Sequence, residues 1–391
     1  MSTVNNGPQI VRSGLILDLD ASYMRSYSPN VMPNPTNIFA WSGTGNNNCT
    51  LSGDTTITRQ YGSIPLKMVM TGTDPYVGSY NSSIWNLAPA ASGQTWTLSF
   101  YAKGSETLTG NCYIFGANSG GGYIEAAATS FTVTTSWQRF TFTTTLGNAS
   151  TAFIQMRFGG SSGQVGKTIW WDGVQLERAS AATNFNPYYF GNTSWRDTSG
   201  NGYNGTLTNG PTFNTSNKGS IVFDGVTAGQ QVTVGSQTIN FTSGGTFEMW
   251  TKINNVNRNQ GFFSMSPGTS YINFYSPGAS TQKMRWEVIG NVSLSYNTIN
   301  SITTLQNNVW YHVVGNFDPS GGSTRIYING SLDNSQSSYA NVPSSVTSQI
   351  IIGSYAGILD GNIAIAKIYN RVLSAAEIMQ NFQAIKTKFG L

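Results

Sequence analysis

Glycoside hydrolysis asks for two carboxylates facing each other across a sheet, one protonated and one ionised. This sequence offers two such pairings, Asp18 with Asp20 and Glu248 with Glu287. Asp18 and Asp20 alternate along one run and share a face, but no glutamate follows them. The expected place for both is solvent or loop backbone at a strand end. Glu248 lies between Phe247 and Met249, and Glu287 follows Trp286, so a sugar cleft carrying both glutamates is the enzymatic reading. His312 is the sole histidine, so any Ser-His-Asp arrangement must use it. Its place between Tyr311 and Val313, mid-strand, points instead to a structural role. Binding a sugar without cleaving it asks for less: exposed rings to stack on the sugar's apolar face, and a few polar groups. Trp41, Tyr76, Tyr80, Trp85, Tyr113 and Tyr123 lie near loops or strand ends and are the glycan-contact candidates. Trp85, set among Asn81-Ser82-Ser83 and Asn86, is the least core-like of them.

The elements that must hold these groups are strands. Charged residues make up only 9% of the 391, while aromatics are 13% and hydrophobics 39%. That mixture builds cores, and the Gly, Ser, Thr and Asn that replace charge are turn formers. The length fits two sandwich domains. A net charge of +4, without a basic run, speaks against nucleic acid. No stretch approaches the ~20 apolar residues of a membrane-spanning helix. Residues 1–9 are polar and lack a charged-then-apolar leader pattern, which disfavours a secreted enzyme. Cys49 and Cys112 leave open one disulfide or two free thiols.

In chain order, 1–9 reads as an arm, and Leu15-Ile16-Leu17-Asp18-Leu19-Asp20 as a half-buried strand. Pro29, Pro33 and Pro35 then suit a domain entry. Strands are predicted at 96–103, 111–116, 139–144, 152–158 and 168–176, where Trp170 and Trp171 must face opposite ways. Further strands are predicted at 231–234, 246–252, 262–265, 271–275, 284–289, 310–317 and 324–328. Asn329-Gly330 fits a type I′ hairpin. After the buried strand 350–353, Ser374 and Glu377 form a capping box before Ile378, Phe382 and Ile385, the one convincing helix.

Two sets of motifs resemble known families. Asp197, Ser199-Gly200-Asn201-Gly202, Asn204-Gly205-Thr206-Leu207 and Val222-Phe223-Asp224-Gly225 resemble the opening of a LamG-like (concanavalin A-like, pentraxin-type) jelly roll. So do the hairpin around Asn329-Gly330 and the close at Tyr369-Asn370-Arg371-Val372-Leu373-Ser374. In that family the first strand stands next door, whereas here its counterpart is at 13–22. The resemblance therefore implies an all-β protein of two jelly-roll β-sandwiches. The LamG-like one is discontinuous (10–30 plus 190–391, with a short C-terminal helix), and a carbohydrate-binding-module-like one (31–189) is inserted. Within the motifs, Asp197 and Asp224 are expected to accept backbone N–H bonds in tight turns.

Trp171-Asp172-Gly173-Val174-Gln175-Leu176-Glu177, followed by Thr183-Asn184-Phe185-Asn186-Pro187, resembles the closing strand of carbohydrate-binding modules in tailed-bacteriophage structural proteins. That resemblance implies a structural calcium at Asp172, against simple hydrogen bonding to a turn. It also implies a non-enzymatic virion-surface appendage on head, neck or tail, made in the host bacterial cytoplasm. Other virion proteins would hold the arm 1–9, a host-surface glycan would meet the insert, and a homo-oligomer is open. The alternatives are a secreted or cell-surface bacterial lectin and, third, a jelly-roll glycoside hydrolase using Glu248 and Glu287.

Overall fold

The computed structural model describes residues 9–23, 45–57, 64–78, 86–185, 193–214, 216–266, 268, 270–278, 281–290, 298–337 and 342–391. The chain forms two compact units, Met1–Tyr27 with Thr193–Leu391, and Ser28–Asn192 between them in sequence. Both are antiparallel β-sandwiches, and the single α-helix among the described residues is Ala375–Ile385.

In the discontinuous unit the first sheet runs Thr212–Asn214, Ser220–Asp224, Asp360–Tyr369, Gly245–Ile253, Trp310–Asp318, Ser323–Ile328 and Ser331–Gln336. Leu15–Asp20 also pairs with Asp360–Tyr369, in the register Asp18 to Lys367 and Leu19 to Ala366. Ser220–Asp224 takes the same closing strand at Asp360 to Ile363. One edge of the closing strand is thus filled by two segments far apart in sequence. The second sheet runs Ser194–Trp195, Gly205–Thr208, Gln231–Asn240, Ser345–Ile352, Asn259–Met265, Tyr271–Pro277, Arg285–Ile289 and Thr298–Asn300. Leu17, Leu19, Phe247, Met249, Phe274, Trp286 and Ile352 share one core between the sheets. Burying two leucines of the opening strand contributes about 3–6 kcal/mol before entropic costs.

The loop motifs act through their carboxylates. Asp197 Oδ1 accepts the N–H of Asp18 and of Ser199, both at 2.9 Å, and Oδ2 accepts that of Tyr203 at 3.0 Å. One side chain therefore ties the opening strand to the glycine-rich loop that begins the rest of the unit. Asp224 Oδ1 accepts the N–H groups of Val226 and Thr227, both at 2.9 Å. Gly225 there has φ +73°, and a Cβ on it would lie 2.7 Å from Asp360 Cβ. Asn329 and Gly330 both have positive φ in the hairpin between Ser323–Ile328 and Ser331–Gln336. Ser374 and Glu377 make the reciprocal capping box, and Arg371 Nη2 meets Glu377 Oε1 at 2.7 Å. The Arg371 hydrogen bonds pull the Glu377 carboxyl down to about 2.

Asp18 is not at the surface as expected. It is only 4% exposed, on the face away from Leu17 and Leu19, with Lys367 Nζ 3.1 Å from Oδ1. Across the paired strands a cation waits at its register partner, a fact that strand alternation cannot reveal.

In the inserted unit one sheet runs Gln138–Thr145, Thr95–Gly104, Thr168–Glu177, Leu66–Met70 and Cys49–Gly53. The other runs Gly45–Asn47, Tyr76–Gly78, Phe153–Gly160, Leu108–Ala117 and Tyr123–Val133, with Ala88–Pro89 also on Phe153–Gly160. Trp96, Phe100, Phe158 and Trp171 lie in its core, Phe158 stacking on Trp171 at 4.6 Å. Trp170 faces the other way and donates Nε1–H to Asp54 Oδ2 at 3.0 Å. Tyr123–Val133 was not anticipated, because an edge strand of Ala, Thr and Ser has no apolar alternation to read.

Replacing Asp197 by alanine strands three backbone donors. Asp197→Ala is expected to lower the discontinuous unit's stability by about 2 kcal/mol. In denaturant unfolding this moves one transition and leaves that of the inserted unit in place.

Candidate functional site

In the inserted unit, Val77, Cys112, Ile114, Ile154, Met156 and Phe158 point into the core. Strand alternation therefore sends Tyr76, Tyr113, Phe115, Gln155 and Arg157 to the outer face of the same sheet. Pairing brings them side by side, since Arg157 opposes Tyr113 on one neighbour and Gly78 on the other. The Arg157 guanidinium lies 4.1 Å from the Tyr113 ring centroid and 4.5 Å from that of Tyr76. Tyr113 and Phe115 run parallel, with centroids 5.7 Å apart and 1° between planes, and Tyr123 lies 5.8 Å beyond Phe115. Gln155 is fully buried on this face, and its Nε2 donates to Asn86 Oδ1 at 3.0 Å and Gly121 O at 2.9 Å. Asp74 Oδ1 stands 3.8 Å from Arg157 Nη2.

Phe115 and Gln155 are buried within this row, so its surface is the half-buried Tyr76, Tyr113 and Arg157 with the exposed Tyr123, which has the makings of a small saccharide platform. Three sequence candidates, Tyr76, Tyr113 and Tyr123, fall on it. Trp41, Tyr80 and Trp85 lie outside the described residues. Sequence reasoning missed Arg157, Gln155, Phe115 and Asn86. The signal was there for two of them: in Phe153–Gly160, Gln155 and Arg157 alternate with Ile154, Met156 and Phe158.

Asp172 is fully buried, and its Oδ1 accepts the Gly173 N–H at 2.8 Å, where the strand bulges. Among the described residues no group of three or more His, Cys, Asp or Glu side chains could hold a metal. A calcium at Asp172 would have to draw on carbonyl and amide oxygens. The end of the same motif has a clear task. Buried Glu177 accepts the Thr183 hydroxyl at 2.5 Å, the Thr183 N–H at 3.1 Å and Gln175 Nε2 at 2.6 Å, clamping the chain that leaves the strand. Both cysteines are free thiols. Cys49 Sγ meets Tyr76 O at 3.2 Å, and burial pushes Cys112 up to about 12.

In the discontinuous unit the proposed carboxylate pair is dispersed. Glu248 lies in the first sheet and Glu287 in the second. Their neighbours Phe247, Met249, Trp286 and Val288 fill the core between the sheets, so the two carboxylates project from opposite outer faces. They cannot flank one glycosidic bond, which corrects the reading of a shared cleft. Glu287 Oε2 accepts Asn273 Nδ2 at 3.0 Å. Glu248 is 2% exposed beneath the C-terminal helix, where Asn381 Nδ2 donates to Oε2 at 2.6 Å. His312 Nε2 lies 3.3 Å from Glu248 Oε1, both side chains fully buried, with Trp250 and Phe382 against the imidazole. Burial raises the Glu248 pKa, but the His312 contact, then the Lys367 charge, more than offset that and leave it lowered.

Residues 224–379 match the family model described as the concanavalin A-like lectin/glucanases superfamily, all within the discontinuous unit. No curated protein matches the chain. Solved structures similar to it include the receptor binding domain of botulinum neurotoxin C/D mosaic serotype, at 18% identity, 48% of each chain covered and TM-score 0.39. The binding domain of Paraclostridial Mosquitocidal Protein 1 is similar at 16% identity, 48% of each chain and TM-score 0.41. A native heptameric SAP-like pentraxin from Limulus polyphemus is similar at 15% identity, 41% of this chain, 79% of that one and TM-score 0.34. The chain spans about half the length of the toxin binding domains it matches.

Removing His312 leaves Glu248 buried without the contact that most lowers its pKa. His312→Ala is expected to cost about 3–5 kcal/mol at neutral pH. A carboxylate held below its ordinary 4.5 stabilises above that pH and loses the contribution as pH falls through the lowered value. The variant's deficit, followed by denaturant unfolding at several pH values, therefore shrinks on acidification.

Proposed function

We propose that this chain is a non-enzymatic, glycan-binding surface protein of a tailed-bacteriophage virion, and that the outer face of the inserted sheet is its saccharide platform. The observation that carries the binding role is the Arg157 guanidinium held between the half-buried Tyr76 and Tyr113 rings, continued over the buried Phe115 to the exposed Tyr123 along one face. Rings stack on the apolar face of a pyranose, while the guanidinium and neighbouring amides bond its hydroxyls. The lectin-like family match of the discontinuous unit supports a binding role in general.

The virion assignment rests on the resemblance of residues 171–177 and 183–187 to phage structural proteins. In this reading the arm 1–9 docks on the particle, the insert meets the host surface and the protein works as a homo-oligomer. The carbonyl of Gln9, the described end of the arm, accepts a hydrogen bond from Gln380 Nε2 at 2.7 Å.

On an array of bacterial surface polysaccharides the full chain is expected to bind at least one glycan. Tyr113→Ala and Arg157→Ala should each weaken that binding at least tenfold with the thermal transitions kept. Unchanged binding by both variants would move the site off this face. Deleting residues 1–9 is expected to abolish incorporation into particles, scored by antibody labelling of purified virions; full occupancy without them would remove the arm from assembly.

A further inference from the structure

The closing strand of the discontinuous unit places three ionisable side chains in line. Asp18 of Leu15–Asp20 is the register partner of Lys367 on one side, and Glu248 of Gly245–Ile253 is its partner on the other. Directly paired residues of antiparallel strands project from the same face, so all three side chains share the side covered by the C-terminal helix. All three are buried, Asp18 at 4%, Lys367 at 2% and Glu248 at 2% exposed. Lys367 Nζ stands 3.1 Å from Asp18 Oδ1, yet that oxygen has no partner in hydrogen-bonding geometry. Thr198 Oγ1 at 3.0 Å and Arg12 Nη1 at 3.4 Å hold the other oxygen, Oδ2, and fix the carboxyl plane. Glu248 also faces His312 and Asn381, and Tyr369 lies one turn of the pleat away with its hydroxyl on Asn381.

We propose that Asp18 and Lys367 are the site of a self-catalysed intramolecular amide bond that covalently joins the first strand of this unit to its last. The pair rests ionised, because each charge more than offsets the other's burial, and the reactive form is the minor one in which the proton has passed from Nζ to the carboxylate. The neutral Nζ attacks Asp18 Cγ, and a rigid sheet that holds Nζ 3.1 Å from Oδ1 of that carboxyl supplies the proximity such a step needs. The proton released from nitrogen passes to the departing oxygen of Asp18. The C–O bond breaks and one water leaves. An ammonium and a carboxylate become one amide and one water, with charge and electrons conserved and no co-reactant. The linkage would close a loop containing the whole inserted unit and add a covalent tie to the pairing, buried leucines and Asp197 bond that otherwise hold the opening strand.

The test is the intact mass of the full chain, purified from a bacterial expression host and denatured before measurement. The expected mass is lower than that of the sequence by one water, with a proteolytic fragment carrying the peptides of Asp18 and Lys367 joined. Lys367→Arg and Asp18→Ala should both return to the full sequence mass. Asp18→Asn should form the same amide with loss of ammonia in place of water. Wild-type protein at full sequence mass, with both peptides recovered separately, overturns the proposal whatever the variants do. So does a water loss that maps to any other pair of residues.

Discussion

Everything in the larger unit depends on how the edge of Asp360–Tyr369 is filled. Its lower half is paired by Ser220–Asp224, which leaves Ile365 to Tyr369 open unless another strand arrives. Leu15–Asp20 fills that gap and places Leu17 and Leu19 in the core. An unfilled edge would expose unpaired N–H and C=O groups together with an apolar strip. The opening strand is therefore a structural member of a domain whose remainder begins after residue 192.

The same strand organises the polar layer on its other face. Asp18 faces Lys367, its backbone N–H binds Asp197, and its side chain takes the Thr198 hydroxyl. Beyond Lys367 the layer continues through Glu248, His312 and Asn381 to Val11, whose N–H donates to Asn381 Oδ1 at 2.7 Å. Buried ions joined in this way are costly to break singly, so the layer specifies one arrangement of the helix, the arm's root and the sheet. It is also why His312 and Glu248 are unsuited to chemistry on an external substrate: the helix covers them.

The inserted unit divides its labour differently. Its closing motif, which carried the resemblance to phage proteins, works through Glu177 as a clamp on the departing chain, a structural task. A cluster of rings and one guanidinium gathers on the opposite sheet, where strands from three parts of the sequence place Arg157 between two tyrosines.

Local patterns determined a good deal by themselves. The Asp-Gly turn at Asp224, the Asn-Gly hairpin at Asn329, the capping box at Ser374 and the opposed Trp170 and Trp171 are all set by residues within a few positions of one another. Backbone sterics and short-range hydrogen bonds suffice for these, so the sequence shows them. The fold class was legible for the same reason, through apolar alternation and regular turns. Which faces meet was not. Glu248 and Glu287 look alike in sequence, yet they belong to sheets that turn their backs on each other. Asp18 looks like a strand-end carboxylate until its register partner proves to be Lys367. Arg157 looks like an isolated surface charge until two other strands bring Tyr76 and Tyr113 to it. Strand pairing across a hundred or more residues is decided by the packing of a whole core, and only the tertiary structure expresses it.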